Sequence, residues 1–146
     1  MFPYNRKRRL RKNTALRDMV RETHLHPDDF LVPLFVVEGK NVKEEIPSMP
    51  QTFRMSLDEI EKEVRSLWSM GLKGVLVFAK VSDVLKDNAG TEALNPQGLM
   101  QRAIQTIKNA VPEMVVFSDV ALDPYSSFGH DGIVENNKID DYFRAC

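Results

Sequence analysis

The sequence predicts an α/β fold in which buried parallel strands alternate with helices. Three short, continuous apolar runs rich in β-branched residues, 30–37, 74–79 and 114–122, are typical of buried strands. Two segments with apolar residues at helical spacing, 57–70 and 96–110, separate these runs. Each connection is long enough for a crossover, so we expect the strands to be parallel and the helices to pack outside the sheet.

The chain starts with a basic segment. Residues 6–12, RKRRLRK, have six positive charges. Because clustered charges are costly to bury, we expect residues 1–12 to be extended and solvated, or to lie on a neighbouring subunit. Nucleic-acid binding is disfavoured, since the sequence has no zinc pattern and no second basic patch. A signal peptide is disfavoured too, because TALRDMVRET follows in place of an apolar region. Asn13 or Thr14 is predicted to cap a short helix over 15–24.

Pro33 lies within the first predicted strand, 30–37. Proline has no backbone N–H to donate to a sheet, so it favours the start or the edge of a strand over its middle. The next segment, 38–53, is EGKNVKEEIPSMPQTF. Its repeated Gly and Pro residues predict a loop.

The helix predicted over 57–70 has clear end signals. Ser56 and Glu59 have the S-x-x-E spacing of a capping box, and Gly71 is suited to a left-handed helix end. Its apolar residues at helical spacing are Leu57, Ile60, Val64, Leu67 and Trp68. The strand 74–79, GVLVFA, follows directly.

Residues 80–95, KVSDVLKDNAGTEALN, are predicted to form a long loop. Asn95 is then expected to cap a helix that Pro96 opens and Pro112 ends. The residues expected to be buried on that helix are Leu99, Ala103, Ile104, Ile107 and Val111. The third strand, 114–122, follows.

Composition limits the class of protein. The chain has 146 residues, 42% of them hydrophobic and 28% charged, which is enough for one domain with a core. No apolar run has the length of a membrane span, so we expect no membrane partner. Cys146 is the single cysteine, which excludes an internal disulfide framework and favours a reducing, cytoplasmic compartment. Without a G-x-G-x-x-G after the first strand, a dinucleotide-binding fold is less favoured.

The candidate site follows the third strand. Residues 118–132, SDVALDPYSSFGHDG, place Asp119, Asp123, His130 and Asp131 where folds of this class have their active sites, at the carboxyl ends of the strands. Carboxylates there can bind a hard cation or a substrate ammonium group, and they suit zinc poorly. Asx turns and helix caps use the same residue types, so an ordinary polar loop is the alternative.

Longer motifs add a resemblance. The segments RLRKNTALRDMVRET, VPLFVVEG, IPSMP, KDNAGTEALNPQGLMQRAIQTIK and SDVALDPYSSFGHDGIV resemble the N-terminal part of the porphobilinogen synthase (5-aminolevulinate dehydratase) family. The resemblance implies a (β/α)8 barrel that begins with about three parallel strands and follows an extended or helical arm. It divides the chain into an arm, 1–29, a partial barrel domain, 30–139, and a divergent tail, 140–146. The implied reaction condenses two 5-aminolevulinate molecules to porphobilinogen, in tetrapyrrole biosynthesis.

The resemblance also implies roles for single residues. Asp119 matches the aspartate that contacts the substrate amino group. Zinc-dependent members have three cysteines in this loop, and the matching positions here are Ala121, Asp123 and Asp131. Catalytic zinc is therefore not expected, and magnesium or a monovalent cation at Asp123 and Asp131 is the candidate, with an empty site as the alternative. The resemblance further implies a homo-oligomer formed through the arm.

For the residues near the aspartates, substrate binding and an ordinary structural role are both open. Phe78, at the end of the second strand, is a candidate for the substrate pocket or an ordinary core residue. Ser126 and Ser127 are candidates for substrate binding, although loop polarity explains them equally well. His130 is expected to support Asp119, Asp123 and Asp131 without being a ligand itself.

One part of the implied chemistry is missing. The family's two Schiff-base lysines lie beyond residue 146, and Lys80 and Lys86 are expected to be surface residues, with Lys86 paired to Asp87. After Ile139, DDYFRAC departs from the family pattern. We therefore expect this chain to be inactive alone; the alternative is a truncated, non-enzymatic fragment or interaction module.

Overall fold

The structure, a computed structural model, describes residues 8–140. It contains a five-stranded sheet of order β2-β3-β1-β4-β5 and a separate two-stranded sheet, β6-β7. The strands are β1 Leu31–Val37, β2 Lys43–Glu45, β3 Phe53–Met55, β4 Gly74–Lys80, β5 Val115–Ser118, β6 Ile133–Glu135 and β7 Lys138–Asp140. The α-helices are α1 Thr14–Met19, α2 Leu57–Ser69 and α3 Leu99–Ala110.

The three predicted strands pair as expected. β1 runs parallel to β4, with Leu34 opposite Val77, and β4 runs parallel to β5, with Val75 opposite Val116. The connections through α2 and α3 are crossovers of the kind that parallel neighbours require. The α/β class with a parallel sheet is therefore confirmed.

The prediction of a loop over 38–53 holds only in part, because this segment is not loop throughout. It contains β2 and the start of β3, which pair antiparallel, while β3 also pairs parallel to β1. The main sheet therefore has five strands and not three. Each added strand has three residues, and β2, KEE, is exposed throughout, so no apolar alternation marked it in the sequence.

Pro33 lies within β1 and not at its end. It pairs with Leu76 of β4, whereas the pairing between β1 and β3 involves only Phe35 and Val36. Within the described residues, Pro33 therefore has a neighbouring strand on one side only. This position suits proline, which favours the unpaired edge of a strand.

The start of α2 differs from the predicted capping box, whereas its end agrees. The Ser56 side chain makes no capping bond to the helix. Its hydroxyl accepts a hydrogen bond from Val42 N–H at 2.9 Å and donates one to Asp58 at 2.6 Å. At the other end Gly71 has φ +95°, and Leu72 N–H donates to Leu67 C=O, as in a Schellman motif.

α3 begins three residues later than predicted. Gly98 is its N-cap, and Asn95 instead accepts a hydrogen bond from Gln97 N–H at 2.9 Å, which makes an Asx turn before the helix. Pro96 lies in that turn and does not open the helix.

One core lies between the helices and one face of the sheet. Buried residues of α2 and α3, including Ile60, Val64 and Ile107, pack against Leu34 and Val77 of the central strands. The third strand is shorter than predicted and is not buried throughout, since Val115 and Phe117 are about half exposed. β5 is the edge of the sheet, so it lacks the neighbour that would cover it.

The N-terminal region is largely exposed. Asn13 caps α1 by accepting a hydrogen bond from Leu16 N–H at 2.8 Å, and α1 ends at Met19, earlier than the predicted residue 24. Residues 8–12 are exposed, as expected for the basic arm. Residues 1–7 and 141–146, which include parts of the predicted arm and tail, lie outside the described residues. Among the described helices, none has the length and apolar character needed to cross a membrane.

Candidate functional site

The candidate site is the segment that follows β5, residues 119–132, called here the acidic loop. It leaves the sheet at the carboxyl end of β5, where Ser118 pairs with Val77 of β4, and Asp119 N–H still donates to Val77 C=O at 3.4 Å. Strand direction therefore brings the acidic loop to the same edge as Lys80, the last residue of β4.

Asp131 closes the acidic loop on itself. One oxygen of its carboxylate accepts hydrogen bonds from Leu122 N–H at 2.9 Å and from Asp123 N–H at 3.1 Å. These N–H groups begin a turn in which Ser126 N–H donates to Leu122 C=O. Asp131 therefore acts as a cap for that turn. At least one of its oxygens thus has the structural role expected in an ordinary polar loop.

Asp119 and Asp123 are both exposed. The pKa of the Asp123 carboxyl is raised, first because the side chain is partly desolvated, and then because the charges of Asp131 and Asp119 repel its charged form. Asp119 and Asp131 are thus close enough to Asp123 to disfavour its charged form. Lys86 opposes the effect and favours the charged form of Asp123.

The two serines differ in environment. Ser126 is buried, and its hydroxyl accepts a hydrogen bond from Phe128 N–H at 3.2 Å. Ser127 is exposed, as is His130. Ser127 and His130 are thus open to a ligand from solvent, whereas Ser126 stabilises the loop.

A segment of the 80–95 loop lies directly against the acidic loop; residues 87–90 are called here the docking segment. Asp87 N–H donates to Tyr125 C=O at 3.3 Å, and Ser127 N–H donates to Asp87 C=O at 2.9 Å. The Asn88 amide makes two hydrogen bonds with the backbone of Val134, at 3.0 and 2.9 Å. Gly90 lies so close to Leu122 that a Cβ atom on it would be 2.3 Å from Leu122 Cδ1.

Phe78 lies on the face of the sheet opposite to α2 and α3. It is paired with Phe35 in the neighbouring strand, and the two rings are stacked with centroids 5.3 Å apart. Phe117, next to Leu76, and Leu31 also lie on this face, and both are about half exposed. The sheet therefore presents an apolar, aromatic surface beside the acidic loop.

Neither lysine has the surroundings of a desolvated amine. Lys80 is exposed and lines a cavity of about 340 Å³ together with Glu38, Glu44 and Asp83. Lys86 forms an ion pair with Asp83 at 2.8 Å, so the predicted pair with Asp87 is wrong. Asp87 instead accepts a hydrogen bond from Thr91 N–H at 3.0 Å. Lys86 is also less solvated than expected, with 24% of its side chain exposed.

The comparisons with known proteins agree with one another. The family model described as Delta-aminolevulinic acid dehydratase matches residues 4–143. The chain belongs to the delta-aminolevulinic acid dehydratase family. The resemblance seen in the sequence is therefore confirmed.

Individual members of the family show the extent of the match. The delta-aminolevulinic acid dehydratases of Chlamydia pneumoniae and Bacillus subtilis are 48% and 46% identical over 134 and 136 residues, which is 92% and 93% of this chain but 40% and 41% of those proteins. A crystal structure of delta-aminolevulinic acid dehydratase (porphobilinogen synthase) from Toxoplasma gondii ME49, in complex with the reaction product porphobilinogen, has a TM-score of 0.89 and 43% identity, and the match covers 96% of this chain and 40% of that one. The chain thus spans about two fifths of the length of these relatives.

The donor side chains of the acidic loop are not gathered into a cluster in the described residues. Within residues 8–140, no three His, Cys, Asp or Glu side chains are grouped as a metal site would require. Asp131 already uses one oxygen on backbone N–H groups. The described residues alone therefore do not make a metal site.

Sequence reasoning missed Tyr125 and the docking segment. Tyr125 is buried, and burial, with the charges of Glu92 and Asp119, raises the pKa of its phenol. The turn residues of KDNAG indicated a loop. The contact of Asn88 with Val134 joins residues 46 positions apart, and such contacts leave no periodic pattern in the sequence.

Proposed function

We propose that this chain provides the first strands and the acidic loop of a porphobilinogen synthase, which condenses two 5-aminolevulinate molecules to porphobilinogen in tetrapyrrole biosynthesis. The observation that supports this most strongly is the acidic loop, SDVALDPYSSFGHDG, at the carboxyl end of a parallel strand in a chain of this family. The match with a family structure that contains porphobilinogen supports the same reaction.

Asp119 is proposed to hold the amino group of the substrate. Its carboxylate is exposed, and within residues 8–140 no side-chain hydrogen bond involves it, so it remains available to an ammonium group. A carboxylate fixed at the end of a strand can bind and orient such a group by a charge-assisted hydrogen bond. Asp123 and Asp131 add negative charge around the same position.

Phe78 and Ser127 are proposed to contact the substrate. Phe78, stacked on Phe35, offers an apolar wall on the open face of the sheet, close to where Asp119 leaves β5. Ser127 presents a hydroxyl to solvent, whereas Ser126 supports the loop from inside. His130 is proposed to support the acidic groups without contacting the substrate.

Any cation at Asp123 and Asp131 is proposed to be hard and oxygen-liganded, such as magnesium or a monovalent ion, since thiolates are absent from this loop. Two carboxylates, one of them bound to backbone N–H groups, would need further ligands from elsewhere. No step of the proposed reaction depends on such an ion.

The architecture is proposed to be the N-terminal portion of a (β/α)8 barrel. The helices α2 and α3 pack on one face of the sheet, and the aromatic face opposite them would then lie inside the barrel. The exposed apolar residues Met19 and Leu25 support association of the arm, 1–29, with a second copy. The single cysteine supports a cytoplasmic location.

The experiment joins residues 1–139 of this chain to the remainder of the Bacillus subtilis relative and assays porphobilinogen colorimetrically. We expect the chimera to form porphobilinogen, and the 146-residue chain alone to form none, because no lysine within residues 8–140 has the desolvated surroundings that a Schiff-base nucleophile needs. Asp119→Ala should lower kcat of the chimera at least about a hundredfold, because it removes an oriented ionic contact.

One control variant and two possible outcomes test this proposal. Arg65→Ala, which changes an exposed residue of α2 paired with Glu61, should leave the activity of the chimera unchanged. The second candidate function is an interaction module without turnover, and the absence of a suitable lysine in the described chain supports it. A well-folded chimera without activity would favour this second candidate. Equal activity of the chimera and its Asp119→Ala variant would contradict the proposed role of Asp119.

A further inference from the structure

We propose that Asn88 is a positioning residue for the acidic loop, acting as the hydrogen-bonding partner of a short strand that follows it. This inference rests on the proposed function only in that the acidic loop is taken to position the substrate. Within residues 8–140, the side-chain hydrogen bonds of Asn88 are both with the backbone of Val134.

The contact between Asn88 and Val134 has the pattern of a strand pair. The Asn88 side-chain N–H donates to Val134 C=O at 3.0 Å, and Val134 N–H donates to the Asn88 side-chain oxygen at 2.9 Å. An asparagine amide offers a donor and an acceptor in one plane, as a peptide group does. Val134 is the middle residue of β6, so the amide takes the place of a neighbouring strand at one edge of the β6-β7 hairpin.

Because β6 follows the acidic loop directly, the contact between Asn88 and Val134 also restrains Asp131. Val134 lies three residues after Asp131, whose carboxylate holds Leu122 N–H and Asp123 N–H. The chain between Asp131 and Val134 is too short to absorb a displacement of the hairpin. When β6 is fixed by Asn88, Asp131 is held in reach of those two N–H groups.

The docking segment fixes the acidic loop at two further points. The backbone of Asp87 binds both Tyr125 and Ser127, and Gly90 packs against Leu122. Asn88 lies between these two contacts in the sequence. A single segment of four residues therefore holds the acidic loop through its backbone and, through the Asn88 side chain, the hairpin that directly follows the loop.

The geometry specifies asparagine at this position. An aspartate there would have the same shape but no donor for Val134 C=O, so the replacement Asn88→Asp keeps one hydrogen bond and loses the other. Alanine loses both. A role in packing alone would treat asparagine and aspartate alike, because the two side chains have nearly the same volume.

The test is amide hydrogen exchange of the 146-residue chain and its variants, resolved by residue. Asn88→Ala should speed exchange of the Val134 amide about thirtyfold, as expected for the loss of two net hydrogen bonds, whereas Asn88→Asp, which keeps the acceptor for this amide, should speed it less, by about fivefold at most. The amides of Leu122 and Asp123 should speed up at least about threefold in Asn88→Ala, because Asp131 is then less restrained. Amides of the central strands β1 and β4 should not change.

The matched control is Asn109→Ala, which removes an exposed asparagine from α3. Asn88→Asp is also measured at about 0.5 M salt, where the added charge is largely screened and only the lost donor remains. Val134 exchange equal in Asn88→Ala and the unchanged chain would overturn the proposal. So would unchanged exchange at Leu122 and Asp123 in Asn88→Ala, or a uniform increase that includes β1 and β4.

These measurements need no turnover, so they are independent of the proposed function. Altered exchange beside an inactive chimera would contradict the enzyme function and leave the role of Asn88 intact. An active chimera beside unchanged exchange would contradict only the role of Asn88.

Discussion

Gly90→Ala is the most informative perturbation of the contact between the docking segment and the acidic loop. Gly90 has φ +64°, a left-handed conformation that side chains disfavour. A Cβ atom there would lie 2.3 Å from Leu122 Cδ1 and 3.0 Å from Leu122 Cγ. Alanine would therefore be strained both in its backbone and against a buried side chain of the acidic loop.

The two sources of strain give the expected magnitude. A left-handed alanine costs about 1 kcal/mol relative to glycine. Overpacking of a buried contact costs about 1–3 kcal/mol more, since carbon atoms prefer separations of about 3.5–4.0 Å. We expect Gly90→Ala to lower the free energy of unfolding by about 2–4 kcal/mol.

Gly129→Ala separates these two contributions. Gly129 has nearly the same φ, +66°, but no atom lies within 4 Å of the Cβ position. Gly129→Ala should therefore lower the free energy of unfolding only by the cost of the strained backbone, about 1 kcal/mol. The difference between the two variants measures the contact between Gly90 and Leu122.

Urea unfolding followed by the fluorescence of Trp68, the single tryptophan, gives the free energies. A double-mutant cycle with Leu122→Ala should show a coupling of at least about 1 kcal/mol, because truncation of Leu122 removes the overlap. Equal costs for Gly90→Ala and Gly129→Ala, together with additive effects of Gly90→Ala and Leu122→Ala, would refute the close packing of the docking segment on the acidic loop.

Three further outcomes are expected from urea unfolding and NMR titration. Asp131→Ala should cost about 2 kcal/mol, because it leaves two N–H groups without a charged acceptor, and Asp131→Asn should cost less; equal stability of all three chains would contradict this. Ser56→Ala should cost about 2 kcal/mol and raise the pKa of Asp58 towards its ordinary value, because the Ser56 hydroxyl bond is the main cause that lowers it; an unchanged pKa would contradict this. The raised pKa of Asp123, caused mainly by desolvation and then by Asp131 and Asp119, means that the folded chain loses stability as pH rises from about 4 through that pKa. Asp123→Asn should therefore be slightly more stable than the unchanged chain at pH 7, by about 0.5 kcal/mol, and show no gain near pH ~3; a gain at the acidic pH alone would contradict the sign.

The sequence predicted the elements whose signals are local. Continuous apolar runs marked β1 and β4, and Gly71 marked the end of α2, because a left-handed helix end needs glycine. The direction of the strands followed from the length of the crossovers. The acidic loop was located for the same reason, since strand direction determines which loops meet at one edge of the sheet.

Features that depend on distant partners were not predicted. Ser56 has the spacing of a capping box, yet its hydroxyl bonds to Val42 in another loop, which no local pattern reveals. The apolar residues of β5 were expected to be buried, but exposure depends on the neighbours that a strand has. The role of Asp131 as a cap for Leu122 and the contact of Asn88 with Val134 likewise depend on how two loops meet.

The most direct test of the proposed function is a crystal structure of the chimera with porphobilinogen bound. The chimera joins residues 1–139 of this chain to the remainder of the Bacillus subtilis relative. We expect the aminomethyl nitrogen of porphobilinogen to lie about 2.7–3.2 Å from a carboxylate oxygen of Asp119, with the ring near Phe78. Porphobilinogen bound with that nitrogen on other groups and with the Asp119 carboxylate more than about 5 Å away would contradict the assignment of the acidic loop as the substrate-positioning loop.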